Sequence, residues 1–179
     1  ILAGDALQAK AFETAARTIV PKPYNAQQLV HELAEAAGST GVVGGQVEDL
    51  AATNRKQTRE MVEFIHLHKT ACLFRAALRM GAMAGGASRK QLKSLTQYGT
   101  NLGLAFQIMD DILDESQPVS RTAANGNKSE LTCLSALTRE EAILKARALI
   151  DDAVSALSGF KSRAQPLISM AQFVLTRTN

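Results

Sequence analysis

The chain has 179 residues, 46% of them apolar, and a net charge of +3. That length suits one domain, or a large piece of one, with a sizeable core. The basic residues are scattered, with no run of five or six, which argues against a nucleic-acid surface.

Ala and Leu dominate the apolar residues, Trp is absent, and runs of Val, Ile and Thr are few, a balance that favours helix over sheet. The periodicity is helical almost throughout. A first helix spans 2–18 and must end before Pro21 and Pro23. Asn25 caps 26–37 with Gln28 three residues on, and Gly38 stops it. A short helix follows at 42–52. Residues 58–83 read as one long helix closed by Gly85 and Gly86, and Ser88 caps the next, at 89–114. Residues 115–129, polar and containing Pro118 and Asn125-Gly126, read as a loop. A short helix is expected at 130–137. Thr138 and Glu141 form a capping box for 139–158, whose apolar face is Ile143, Ala146, Ile150, Val154 and Leu157. Gly159 ends that helix, and a last one covers 163–176. The fold class is all-α: antiparallel helices joined by short loops.

Cys72 and Cys133 sit in apolar stretches without a metal-like cluster, which fits buried thiols in a reducing compartment. No signal peptide or membrane span is visible, since charged residues or Gln interrupt every apolar stretch well before the length of a span. The chain opens on Ile1 inside a helical pattern, so further sequence is expected upstream.

The most informative run is Leu104 to Asp114 (LAFQIMDDILD). On a helix, Asp110 and Asp114 stack one turn apart, and Asp111 lies about 100° around from Asp110. Apolar Ile108, Met109, Ile112 and Leu113 bury much of the same helix. An unpaired buried carboxylate costs several kcal/mol, so positive charge should face these acids. A surface cluster paired to Lys or Arg would satisfy them, and a short acidic pattern alone favours that reading. Magnesium is the functional alternative, because it takes hard oxygens and is commonly shared between one or two carboxylates and substrate phosphates. Gln107 lies about one turn upstream. Lys69-Thr70 occupies the 58–83 helix, flanked by Ala71 and Cys72, an odd setting for a solvated lysine. Taken singly, Lys69 is more often a snorkelling surface residue and Gln107 a packing amide. His66 and His68 lack a metal-like partner and read as structural. Gly44-Gly45-Gln46 with Asp49 is a further local pattern.

In this order, the segments resemble the trans-isoprenyl diphosphate synthases (polyprenyl synthetases), which include farnesyl and geranylgeranyl diphosphate synthases. The matching pieces are Leu2 to Leu7, Gly44-Gly45-Gln46, Ile65 to Thr70, Gly103 to Gln107 with the following DDILD, Asn127-Lys128-Ser129, and Pro166 to Arg177. The resemblance spans nearly the whole chain and identifies 1–179 as the C-terminal part of a single synthase domain, with 115–129 as its active-site loop. It implies the isoprenoid synthase fold, an antiparallel helix bundle around a central cavity, here without its N-terminal helices. It also implies a prenyltransferase that joins isopentenyl diphosphate to an allylic diphosphate and releases pyrophosphate. Mg²⁺ is the implied metal, with Mn²⁺ as a substitute, and a homodimer the implied assembly. The implied location is cytoplasmic, or plastid for a plant or algal chain.

By motif, the resemblance makes Asp110 the main metal ligand, supported by Asp111 and Asp114. Lys69 and Lys128 would contact the allylic diphosphate, Thr70 and Gln107 would place it, and Phe106 would line the cavity near the developing cation. Lys69 and Asp110 are then the catalytic pair. Two departures stand out. The family's other aspartate-rich motif precedes the Leu-Ala-Gly-Asp-Ala segment with which this chain begins, so the piece alone is expected to be inactive. The loop after Asp114 usually carries a Gly-Lys pair and a further Asp in the family, whereas residues 115–127 here have Arg121 and no lysine. A noncatalytic homologue or regulatory partner subunit is the competing function. A terpene cyclase fits less well, because DDILD is the chain-elongating form of the motif. The ending and the Leu157-to-Phe160 run hint at a C15 or C20 product.

Overall fold

The computed structural model describes residues 1–52, 58–115 and 132–177. Among these it is helical, without strands. The helices are α1 (Leu2–Arg17), α2 (Ala26–Ala37), α3 (Val42–Ala52), α4 (Arg59–Ile65), α5 (Cys72–Ala84), α6 (Arg89–Glu115), α7 (Arg139–Ala156) and α8 (Gln165–Thr176). None is long and apolar enough to cross a membrane.

Local sequence explains the ends. Asn25 and Gln28 close a reciprocal capping box on α2, and Thr138 and Glu141 do the same on α7, so each satisfies two otherwise orphaned backbone groups. Ser88 and Gln91 exchange the equivalent bonds ahead of α6.

The long α6 is the axis of the bundle. It buries Tyr98, Leu102, Ala105, Ile108 and Ile112, and α7 presents Ala142, Ala146, Ile150 and Ala153 to the same core. The small side chains on α7 let the two helices approach closely along their length. Tyr98 is fully buried; its hydroxyl donates to the Leu167 carbonyl at 2.7 Å, and burial pushes its pKa up to about 12. A second cluster, Ala15, Leu29 and Met83, joins α1, α2 and α5. Arg79 on α5 grips Glu32 on α2 (Nε to Oε2, 2.7 Å) and donates to Thr96 on α6 at 2.9 Å, which ties three helices together.

Three elements differ from the sequence expectation. The expected helix 58–83 is α4 and α5 joined by a π-helical turn, His66–Ala71. Such a turn carries an extra residue, which apolar periodicity does not register. The expected helix at 130–137 is a single 3-10 turn, Cys133–Ser135, with residues 130 and 131 outside the described part. Between α7 and α8 lies a 3-10 segment, Ser158–Ala164, in which Lys161 takes φ 54°. The α7 helix therefore stops short of Gly159, and α8 starts at Gln165 with Pro166 in its first turn, where a missing N–H costs nothing. Of the expected loop 115–129, only Glu115 is described, as the last residue of α6.

Candidate active site

Two close backbone approaches build the site. A Cβ on Gly103 of α6 would lie 2.5 Å from the Ala71 Cα, so α6 and the π turn touch almost backbone to backbone. A Cβ on Gly45 of α3 would meet the Lys69 nitrogen at 2.3 Å and its Cα at 2.7 Å. Gly45 therefore seats α3 against the turn that carries Lys69. Gly45→Ala should push the two apart, since the obstacle is backbone rather than a flexible side chain. Overpacking of this kind costs about 1–3 kcal/mol. A thermal melt should fall by several degrees, and unchanged melting would show that α3 yields freely.

Between α3, the π turn and α6 lies a cleft of about 130 Å³. Its lining includes Asp49, His66, Lys69, Thr70, Gln107, Asp110, Asp111 and Asp114. Thr70 donates to Gln107 Oε1 at 2.7 Å, and Gln107 Nε2 donates to Asp111 Oδ1 at 3.0 Å. Asp111 Oδ2 accepts the Cys133 N–H at 2.6 Å and faces His66 Nε2 at 3.2 Å. Both Asp111 oxygens are thus engaged in a side chain that is only 5% exposed. Burial drives its pKa upward, but His66, the Cys133 N–H and Gln107 outweigh that and hold it below the ordinary value. The Cys133 thiol is pushed up to about 12 by burial and by the Asp111 charge beside it.

Lys69 Nζ donates to the buried Asp49 at 2.7 Å. Among the described residues that is the one hydrogen bond of Nζ, which leaves two N–H donors for an anion in the cleft. Asp110, partly exposed, accepts from Arg177 Nη2 at 2.9 Å through Oδ1. Asp114 stands exposed one turn further along α6.

Five of the expected site residues on α6 and the π turn therefore share one hydrogen-bonded or cleft-lining group: Lys69, Thr70, Gln107, Asp110 and Asp111, with Asp114 at the rim. Phe106 is absent from that lining: its ring lies beneath the Arg177 guanidinium, 3.9 Å from the centroid, with Phe74 on another side at 5.2 Å. Lys128 falls outside the described residues. Arg177, Asp49 and the Cys133 N–H join the site without having been expected from the sequence. Arg177 carries no local signal, being 67 positions from its partner. Asp49 had one in its spacing from the Gly-Gly-Gln run. His66 is buried as a structural residue would be, yet it faces Asp111.

Among the described residues, no three His, Cys, Asp or Glu side chains converge to hold a metal by themselves. What the cleft offers is carboxylate oxygen on one wall and an ammonium on the other. Such a lining suits a hard cation that completes its shell with water and phosphate, as Mg²⁺ does, and does not suit a protein-only cage.

The polyprenyl synthetase family profile matches residues 1–165. The chain belongs to that family. Geranylgeranyl pyrophosphate synthase 7, chloroplastic, of Arabidopsis thaliana is 38% identical over 187 residues, covering 100% of this chain and 54% of that protein. Farnesyl diphosphate synthase of Escherichia coli (strain K12) is 37% identical over 187 residues, covering 99% of this chain and 62% of that one. The solved structure of geranyltransferase from Helicobacter pylori, complexed with magnesium and isoprenyl diphosphate, superposes with a TM-score of 0.75 at 29% identity, over 98% of this chain and 58% of that one. This polyprenyl synthetase chain thus spans between half and two-thirds of the length of these relatives, and its helices have their isoprenoid synthase fold.

Proposed function

We propose that the full-length protein is a Mg²⁺-dependent trans-prenyltransferase that condenses isopentenyl diphosphate with an allylic diphosphate to a C15 or C20 product. The observation that carries this reading is the convergence of Lys69, the Thr70–Gln107–Asp111 chain and Asp110 on one cleft. The relatives' names, and the magnesium and isoprenyl diphosphate in one related structure, support it. In the reaction, the allylic C–O bond breaks and pyrophosphate leaves with the electron pair. The isopentenyl double bond then attacks the cationic carbon, and a proton is lost.

The chain's own residues do the positioning. Lys69 offers two N–H bonds to diphosphate oxygens while Asp49 fixes its reach. Thr70 and Gln107 form the polar wall that orients the diphosphate. Asp111, locked by its three partners, holds the helix on which Asp110 and Asp114 present carboxylate oxygen. Magnesium bound there would neutralise charge growing on the leaving pyrophosphate. A cytoplasmic homodimer is the proposed setting, with a plastid location as the alternative that the chloroplastic relative favours.

The full-length protein should extend an allylic diphosphate with radiolabelled isopentenyl diphosphate only when Mg²⁺ is supplied. Full turnover in excess EDTA would sink the metal assignment. Absence of turnover at any Mg²⁺ concentration would favour the noncatalytic partner subunit.

A further inference from the structure

Arg177 lies at the end of α8, and its side chain is only 8% exposed. One nitrogen, Nη2, donates both to Asp110 Oδ1 at 2.9 Å and to the Phe106 carbonyl at 3.1 Å, and the guanidinium stacks on the Phe106 ring at 3.9 Å. Only one of these three contacts depends on Asp110. The carbonyl and the ring, both on α6, would hold the cation in place even if the Asp110 carboxylate turned to another partner. Arginine suits such a site, because its planar guanidinium can stack on the ring and donate hydrogen bonds at the same time.

We infer that Arg177 is a fixed counter-ion to Asp110 that suppresses binding of a bare divalent cation and makes metal entry depend on diphosphate; this rests on the metal reading proposed above. Without metal, Arg177 neutralises a partly exposed carboxylate of the cleft lining and relieves its repulsion with Asp111 one residue away. A divalent cation arriving alone must share Asp110 with a cation that stays nearby, and the two repel at close range. Arriving with a diphosphate, it brings compensating negative charge. Arg177 thereby couples the two ligands: each improves the site for the other.

The probe is Mn²⁺, followed by its electron spin resonance signal in the full-length protein, with and without inorganic pyrophosphate. Wild type should bind Mn²⁺ weakly alone and much more tightly with pyrophosphate. Arg177→Gln should bind Mn²⁺ alone roughly tenfold tighter, with a smaller gain from pyrophosphate. Arg177→Lys, which keeps the charge but not the stacked fork, should bind Mn²⁺ alone more weakly than Arg177→Gln. Arg177→Met keeps the packed stem over Phe106 and gives the same reading as the Gln variant if that one does not fold. Equal or weaker Mn²⁺ affinity in the uncharged variants overturns the counter-ion role and leaves the metal reading intact. No Mn²⁺ binding by wild type even with pyrophosphate overturns both.

Discussion

Asp110→Ala in the full-length protein is expected to lower turnover about a hundredfold or more, equivalent to roughly 2.7 kcal/mol of barrier. Its helical circular dichroism should not change. The separation of the two effects follows from the surroundings of the side chain. Asp110 is partly exposed, and its one hydrogen bond among those described comes from Arg177. When that carboxylate is removed, Arg177 keeps the Phe106 carbonyl and ring, so no buried charge is stranded without any partner. The fold should lose on the order of 1 kcal/mol, the usual size of such a pair. The reaction, by contrast, would lose the carboxylate that faces the cleft, at the point where charge on the leaving pyrophosphate must be offset. Lys69→Ala removes the opposing ammonium and leaves Asp49 buried without its partner, so it should damage stability as well as rate. Asp110 is therefore the cleaner probe. Wild-type turnover in Asp110→Ala would remove this carboxylate from the chemistry and overturn its assignment as the main metal ligand.

The helices were largely legible in the sequence because their ends are written in local chemistry. The Asn25–Gln28 and Thr138–Glu141 pairs each mark a start within four residues, and Gly38 marks a stop. What local patterning missed has a common cause. The π turn at His66–Ala71 forms where two neighbouring backbones, at Gly45 and Gly103, press on it from different helices, and periodicity along one segment contains no record of either. The acidic motif was legible as a motif, but the division of labour within it was not. That Asp111 is the locked, buried member of the pair and Asp110 the more exposed one depends on Cys133 and His66, which meet Asp111 only after folding. The Arg177 contact lies beyond any local reading for the same reason. Phe106, adjacent to Gln107 in sequence, falls on the next face of α6, where its ring lies under Arg177.

Asp111 should prove to be mainly a structural support, and its loss the most destabilising single change in the site. Its Oδ2 joins α6 both to the π turn, where it faces His66, and to the 3-10 turn, where it accepts the Cys133 N–H. Asp111→Ala orphans that buried N–H and frees Gln107 from its place beside Thr70, at a cost of roughly 3 kcal/mol or more. Asp111→Asn keeps an acceptor for Cys133 and loses the charge. The pH dependence then identifies the charge itself. The folded-state pKa of Asp111 lies below its ordinary value, so the carboxylate contributes stability that is fully present above the unfolded pKa, about 3.9. That contribution is lost as pH falls through the folded value. Urea unfolding of the full-length protein should show wild type more stable than Asp111→Asn at pH 7 and pH 5, with the gap closing below about pH 4. The other depressed carboxylates, Glu13, Glu63 and Glu141, are common to both proteins and cancel in that difference. A gap that stays constant down to pH 2.5 would mean that shape rather than charge at Asp111 holds the Cys133 turn against α6.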